Sequence, residues 1–282
     1  SCKVISAYIE GINDGRQFID MASKVTKKKP IVAIKAGNTA AGAKAVSSHT
    51  GSLAGSTKAY DCALKQAGIM RARTIRNLFD YSTAFAYQPL PKGSEAVIIT
   101  NAGGPGIMAT DACEENDIKL ASLDPKTVEK LKEFLPSAAN FHNPIDVLGD
   151  ALADRYEKTL ETVIEDKNVN AIIVLLTPQS MTQIDETAKA IVEVSQKSKR
   201  KIPVIACFMG GSGVKSGIDL LMHNRIPCYD IPEGAVATLK VMINYAEWVN
   251  KKVEEVQKFD VDNKAVRKIF EECRKEKRFE LG

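Results

Sequence analysis

Residues 96–106 read AVIITNAGGPG, and this stretch decides the fold. Its first five residues predict a strand, because they are almost all apolar and rich in β-branched side chains. The glycine-rich turn from Asn101 to Gly106 leads into a helical pattern that runs to Asn116. A strand that passes through a glycine turn into a helix is the unit from which parallel α/β sheets are built.

The same unit recurs on both sides of this stretch. Residues 31–35 read IVAIK, a nearly continuous apolar run of the kind that forms a buried parallel strand. Other predicted strands precede segments with apolar residues at helical spacing, and they lie at residues 3–9, 171–177, 203–208 and 227–229. The chain therefore predicts a doubly wound α/β fold.

Residues 88–93, QPLPKG, form the clearest linker in the chain. Two prolines and a glycine there separate one α/β region from the next. We therefore predict one domain over residues 1–88 and a second, larger domain over residues 93–250. Residues 251–282 are rich in charge and carry apolar residues at helical spacing, which predicts a charged linker followed by an amphipathic helix.

The composition excludes several classes of protein. The 39 Lys and Arg against 35 Asp and Glu give a formal net charge of +4, too small to indicate nucleic acid or an anionic membrane as a partner. No apolar run is long enough to span a bilayer, and the N-terminus has no secretory signal pattern. The six cysteines are scattered, and none lies at metal-ligand spacing from another cysteine or a histidine. We therefore predict no metal site and a reducing, cytoplasmic location.

The glycine turn at residues 101–106 is the first candidate binding site. Backbone N–H groups at the start of a helix lack intrahelical partners, and the helix dipole adds partial positive charge, so the turn favours phosphate or carboxylate. It matches neither a P-loop nor a G-x-G-x-x-G dinucleotide fingerprint. The alternative is a plain tight turn without a ligand. The candidate binding residues are Asn101, Gly103, Gly104 and Gly106.

His49 is the second candidate. It lies in the run AVSSHTGSLAGS at residues 45–56, at the end of a predicted glycine- and alanine-rich loop over residues 36–51. A neutral imidazole, with an ordinary pKa of about 6.5, is a competent nucleophile toward phosphorus. A helix predicted to start near Ser52 would direct its positive end toward the imidazole. The alternative is a loop histidine without chemistry. The neighbours that offer hydroxyl groups or close backbone approach are Ser48, Gly51 and Ser52.

Two carboxylates are further candidates. Glu10 ends the first predicted strand, and the carboxyl ends of parallel strands line the ligand crevice of an open sheet. A carboxylate that accepts the Nδ1–H of His49 would fix the tautomer and leave Nε2 as the nucleophile, although a surface glutamate is the simpler interpretation. Asp146, in the NPID sequence of residues 143–146, follows a proline turn, where it either positions a substrate or caps the next segment.

Three other features complete the candidate set. Residues 208–213, FMGGSG, form a second strand-to-helix glycine turn, which we expect near the same crevice. His142 and His223 have no hydroxyl- or glycine-rich surroundings in the sequence. We interpret both histidines as structural.

Five motifs occur in an order that resembles a known family. They are YIEG at 8–11, KAG at 35–37, SSHTGSLAG at 47–55, TNAGGPG at 100–106 and NPID at 143–146. This ordered set resembles the NDP-forming acyl-CoA synthetases, relatives of succinyl-CoA synthetase that include the ADP-forming acetate–CoA ligases. The resemblance covers nearly the whole chain, and it implies two tandem flavodoxin-like, succinyl-CoA synthetase-like domains with a helical C-terminal tail.

The resemblance also implies a reaction. In this family acyl-CoA, ADP and phosphate are interconverted with the free acid, CoA and ATP through an acyl phosphate and a phosphohistidine. By motif match, His49 is the phosphorylated residue, and Glu10 is the glutamate that supports it. The helices expected after Gly51 and after Gly104 would hold the phosphohistidine with their N-termini. No tightly bound cofactor is expected; CoA or acyl-CoA, phosphate and ADP or ATP with magnesium are substrates of the complete enzyme.

The resemblance further implies partners. Family members carry a Rossmann-like CoA-binding domain and an ATP-grasp domain, and neither is found in this sequence. The chain opens directly on a strand pattern without a methionine, which indicates a fragment or a subunit. We expect it to correspond to the two central domains, to work in an oligomer, and to lack full synthetase activity alone.

Two other functions remain open. One is a non-catalytic, ligand-sensing regulatory module of a protein acetyltransferase; the intact SSHTGS run at residues 47–52 favours the enzyme over this alternative. The other is an unspecialised flavodoxin-like binding domain. The sequence has no aromatic-flanked flavin loop, and its one tryptophan is Trp248, which speaks against a flavin protein.

Overall fold

The computed structural model describes residues 2–50, 56–251 and 260–278, and the side chains of residues 47–50 lie outside that description. The strands of this part of the chain are β1 (Ile5–Ile9), β2 (Ile31–Lys35), β3 (Met70–Ala72), β4 (Glu95–Thr100), β5 (Lys119–Leu120), β6 (Ile145–Asp146), β7 (Ala171–Leu176), β8 (Val204–Phe208) and β9 (Cys228–Tyr229). The helices are α1 (Gly15–Thr26), α2 (Ala40–Thr50), α3 (Thr57–Gln66), α4 (Ile75–Tyr87), α5 (Gly103–Glu115), α6 (Pro125–Phe134), α7 (Ala153–Ile164), α8 (Ile184–Lys197), α9 (Lys215–His223), α10 (Pro232–Asn250) and α11 (Asn263–Lys275), and a 3₁₀ turn spans Gly211–Val214.

The strands form two parallel sheets. The small sheet has the order β1-β2-β3, and its central strand is buried along its whole length. The large sheet has the order β5-β4-β7-β8-β9, and β6 pairs with the end of β4 beyond β5. Every strand pairing within the two sheets is parallel, with helices between successive strands. The predicted parallel α/β architecture is confirmed.

Residues 1–250 form one compact unit, in which α10 packs against strands of the large sheet and against α4, the helix that packs on the small sheet. One apolar core contains Leu78 and Phe85 of α4 together with Ile98 of β4 and Tyr245 of α10. The rings of Phe85 and Tyr245 meet edge to face, with their centroids 5.3 Å apart. The division into domains at residues 88–93 stays a prediction.

The prediction of a loop over residues 36–51 is wrong for most of its length, because residues 40–50 form α2. Alanine has the highest intrinsic helix propensity, and four of the first six residues of this helix are alanine. The Thr39 hydroxyl oxygen also accepts a hydrogen bond from the Gly42 N–H at 3.1 Å, which caps the first turn. The glycine and serine content of the stretch conceals both signals.

Residues 251–282 form a unit that is separate from residues 1–250. Within it, α11 begins after Asp262, whose carboxylate accepts hydrogen bonds from the N–H groups of Lys264 and Ala265. The predicted amphipathic helix is thus present, with exposed apolar side chains at Val266, Ile269 and Phe270. No helix in the described part of the chain is long and apolar enough to cross a membrane.

Candidate functional site

The glycine turn after β4 forms the open N-terminus of α5. The helix begins at Gly103, so the glycines belong to its first turn, and the N-cap residue Ala102 makes no side-chain capping bond. The first N–H groups of a helix have no intrahelical acceptor. Together with the helix dipole, these uncapped groups make the start of α5 suited to bind an anion.

The glycines of this turn have different surroundings. A Cβ atom placed on Gly104 would meet nothing within 4 Å, and one placed on Gly103 would meet only the Oδ2 atom of Asp146, at 3.9 Å. A Cβ on Gly106 would lie 3.1 Å from the Cγ2 atom of Thr100. The first two glycines therefore leave the backbone open to a ligand, whereas Gly106 allows α5 to pack closely on the end of β4.

Asn101 shapes the turn from the inside. Asn101 is 2% exposed. Its Nδ2 donates to the Thr177 carbonyl at 2.8 Å, and its Oδ1 accepts a hydrogen bond from the Thr177 N–H at 2.9 Å. These bonds join the carboxyl ends of β4 and β7. The amide group is thus used within the protein, and a direct contact of Asn101 with a ligand stays a prediction.

Asp146 reaches the turn through its neighbour Asn143. The Asn143 amide accepts the Ile98 N–H and donates to the Ala96 and Ala121 carbonyls, so this side chain replaces a missing strand residue beside β4. Pairing of β6 with β4 then places Asp146 opposite Thr100. One Asp146 oxygen accepts the Leu148 N–H at 2.9 Å, a local turn bond within the loop that leads to α7. Its other oxygen lies beside Gly103.

Glu10 lies at the carboxyl end of the small sheet, next to a buried lysine. The strand register places Ile9 opposite Lys35. Lys35 is 2% exposed, and its ammonium group donates a hydrogen bond to the Ala36 carbonyl. Burial and the charge of Arg71 lower the pKa of Lys35 from its ordinary value, and the nearby Glu10 charge opposes that shift. The strand register thus places Glu10 near a lysine that was not among the candidate residues of the sequence.

Tyr60 holds both parts of this edge together. The Lys35 Nζ lies 4.5 Å from the centre of the Tyr60 ring, a cation–π contact. The Tyr60 hydroxyl oxygen accepts the Ile12 N–H at 3.1 Å, in the turn that follows Glu10. A lysine at the end of an otherwise apolar strand, IVAIK, was the one signal in the sequence that could have indicated this cluster.

Several predicted site residues lie wholly or partly outside this description. The backbone of Ser48 and His49 lies in the last turn of α2, while their side chains are outside the described part of the structure. Gly51 and Ser52 are outside the described residues altogether. His142 is exposed, and His223 lies in the last turn of α9. Within the described ranges, no group of three or more His, Cys, Asp or Glu could hold a metal ion.

Comparison with known proteins identifies the family. Residues 1–85 match the succinyl-CoA ligase like flavodoxin domain, and residues 96–253 match the Ligase-CoA domain. The chain belongs to the NDP-forming acyl-CoA synthetase family. The flavodoxin-like fold and the family expected from the five motifs are therefore confirmed.

Members of this synthetase family resemble the chain over most of its length. The 4-hydroxybutyrate–CoA ligase (ADP-forming) of Nitrosopumilus maritimus is 39% identical over 98% of this chain and 39% of its own. Subunit alpha of acetate–CoA ligase (ADP-forming) II of Pyrococcus furiosus is 43% identical over 87% of this chain and 54% of its own. Dinucleotide forming acetyl-coenzyme A synthetase 1 of Ca. Korarchaeum cryptofilum, solved with phosphate and ADP, has a TM-score of 0.83 and 37% identity, over 88% of this chain and 54% of its own. The chain thus spans between two fifths and just over half of these relatives.

Proposed function

We propose that this chain carries the phosphoryl-transfer step of an ADP-forming acyl-CoA synthetase. The observation that carries the proposal is the uncapped start of α5, where Gly103 and Gly104 leave the backbone open to an anion. Relatives named as ADP-forming CoA ligases, and a neighbouring structure that holds phosphate and ADP, support phosphate and a nucleotide as substrates.

The proposed reaction has three transfers. A phosphate oxygen attacks the thioester carbonyl of acyl-CoA, the C–S bond breaks, and CoA leaves as the thiol with an acyl phosphate formed. The Nε2 atom of His49 then attacks the phosphorus, and the P–O bond to the acyl group breaks to release the carboxylate. Finally, a β-phosphate oxygen of ADP attacks the phosphohistidine, and the P–N bond breaks to give ATP.

Each candidate residue has a role in this scheme. Glu10 accepts the Nδ1–H of His49 and stabilises the imidazole as it becomes positively charged. Residues Gly103, Gly104 and Gly106 form the α5 turn that holds the phosphoryl group, and Ser48, Gly51 and Ser52 are the further proposed binding residues. An exposed helix dipole contributes about 0.3–1 kcal/mol and a partly buried one up to about 2 kcal/mol, which favours a phosphorylated intermediate.

The remaining domains of the reaction are also part of the proposal. A Rossmann-like domain would bind CoA, and an ATP-grasp domain would bind ADP or ATP as the magnesium complex. These parts lie in the same polypeptide or in another subunit of a cytoplasmic oligomer. Alone, this chain would not complete the synthetase reaction.

Labelling of His49 tests the proposal. The complete enzyme is incubated either with acetyl-CoA and radiolabelled phosphate or with ATP labelled at its γ-phosphate; the ATP arm does not depend on the acyl group. We expect acid-labile, base-stable label on the wild type and on the control His223→Ala, and none on His49→Ala. Equal label on wild type and His49→Ala would contradict the assignment.

A further inference from the structure

We propose that Arg71 is a positioning residue that holds α2, and with it His49, at the carboxyl end of the small sheet. This inference rests on the proposed function of His49. The two ends of the chain segment that contains α2 are in contact. The Thr57 hydroxyl, at the start of α3, donates to the Asn38 carbonyl at 3.1 Å, so the turn that follows β2 contacts the start of α3.

Arg71 binds both of these ends. From β3, its Nη2 donates to the Asn38 Oδ1 at 2.9 Å, and its Nη1 pairs with the Asp61 carboxylate on α3. The Asn38 amide is fixed in turn, because its Nδ2 donates to the Lys35 carbonyl at 2.5 Å. One guanidinium therefore joins β3, the residues after β2, and α3. We call Asn38, Thr57, Asp61 and Arg71 the clasp.

The clasp matters because residues 40–46, the part of α2 whose side chains the structure describes, are not buried. A helix in a globular protein is normally held by a buried apolar face. One close contact on its inner side is that of Val46 with Gly37, where a Cβ would lie 3.0 Å from the Val46 Cγ2. The polar contacts at the base of α2 therefore help to position its first turns.

The position of Arg71 requires unfavourable burial of its charged guanidinium. Its side chain is 11% exposed, and its buried Nε and Nη1 atoms make no hydrogen bond among the described residues, so Nη1 meets Asp61 as an ion pair only. Burial and the charge of Arg73 lower the pKa of Arg71 from its ordinary value. An apolar side chain would avoid this unfavourable burial, but it could not bind Asn38 and Asp61 at once.

The experiment compares Arg71→Met and Thr57→Val with the control Arg73→Met, all in the complete enzyme. Arg73 is a matched arginine two residues away. Its side chain is 65% exposed, and its Nη2 comes no closer than 3.7 Å to the Asp61 carboxylate, so this ion pair contributes little to stability. Phosphorylation of His49 is measured with γ-labelled ATP, and hydrogen–deuterium exchange is measured for peptides covering residues 39–50.

Loss of the clasp should slow His49 phosphorylation about tenfold or more at saturating ATP, because small displacements of a reacting group are costly. The KM for ATP should stay within about twofold, exchange in residues 39–50 should rise, and Arg71→Lys should restore part of the rate. Arg73→Met should match the wild type. Unchanged exchange in both Arg71→Met and Thr57→Val would overturn the clasp. If exchange rises in the two variants but the wild type itself takes no label on His49, the clasp stands and the proposed function is rejected.

Discussion

The carboxyl ends of the two sheets are built differently. At the large sheet, the start of α5 lies between buried strands, and side-chain amides of Asn101 and Asn143 fix the neighbouring turns. At the small sheet, the three-stranded arrangement ends at Glu10 and Lys35, and α2 extends from it without a buried residue among positions 40–46. One edge has uncapped helix N–H groups between fixed turns, which we propose bind an anion; the other carries α2, none of whose residues 40–46 is buried.

This difference suits the two parts of the proposed phosphoryl transfer. A site that stabilises developing charge works best when its donors are fixed before the reaction. A group that carries a phosphoryl between partners needs a defined base but no rigid packing along its length. The small sheet is itself attached to α10 through Trp248, which lies against Gly68. Substitutions at each edge reveal how much its contacts contribute to the free energy of unfolding.

The largest effect is expected for Gly68→Ala, at the attachment of the small sheet. Gly68 has a φ of +68°, and a Cβ there would lie 2.0 Å from the Trp248 ring. The left-handed backbone and the overpacking together should lower the free energy of unfolding by about 3–4 kcal/mol. Urea unfolding measures this change. Gly15→Ala is the control, since its Cβ would meet nothing within 4 Å; a similar loss in both variants would contradict the role of Trp248.

Asn143→Ala tests the large-sheet edge. The substitution removes three hydrogen bonds and leaves the N–H of the fully buried Ile98 without a partner, so we expect a loss of about 3 kcal/mol. The exposed Asn168, whose Nδ2 donates to the Ser122 carbonyl, serves as a control that should lose about 1 kcal/mol or less when changed to Ala. Equal midpoints of urea unfolding for the two variants would show that Asn143 does not replace a strand residue.

Thr26→Val tests the contact between α1 and α10. The buried Thr26 hydroxyl donates to the Ala67 carbonyl at 2.6 Å and accepts the Trp248 Nε1–H at 3.1 Å. Valine has nearly the same shape but leaves both groups unpaired, which should cost about 2 kcal/mol of unfolding free energy. Thr162→Val, at an exposed hydroxyl that donates to the Lys158 carbonyl, should change it by less than about 0.5 kcal/mol. Identical melting curves for both variants would exclude a stabilising role for Thr26.

The architecture could be predicted from the sequence because parallel strands are buried on both faces. The runs IVAIK and AVIIT reveal such strands directly, and glycine turns mark where helices start. The helix α2 could not be predicted in this way, because its glycine and two serines resemble loop composition and it has no apolar periodicity. Here local propensity and the Thr39 cap decided the structure.

The candidate site was only partly predictable for a different reason. Glu10 and the α5 turn follow from strand ends, which sequence patterns locate. The clasp and the Lys35–Tyr60 contact join residues that lie far apart in the sequence. Asn38 is 19 positions from Thr57 and 33 positions from Arg71. No local pattern encodes such pairs, because each residue alone is an ordinary polar side chain.

The smallest effect is expected for the pH dependence of Lys35→Met, at the small-sheet edge. Burial lowers the pKa of folded Lys35 from 10.5, with Arg71 adding to the shift and Glu10 opposing it. Between the folded and the unfolded pKa values, the unfolded chain binds more protons, so wild-type stability gains with rising pH. The unfolding free energy of wild type minus that of Lys35→Met should therefore increase from pH 8 to pH 11, by about 1.4 kcal/mol per unit of pKa difference. Titrations shared by both proteins cancel in this difference. Lys58→Met, at an exposed position of α3, is the matched control for removal of a lysine charge. A flat or falling difference for Lys35→Met would show that the ammonium beside Glu10 is not held at a cost to the fold.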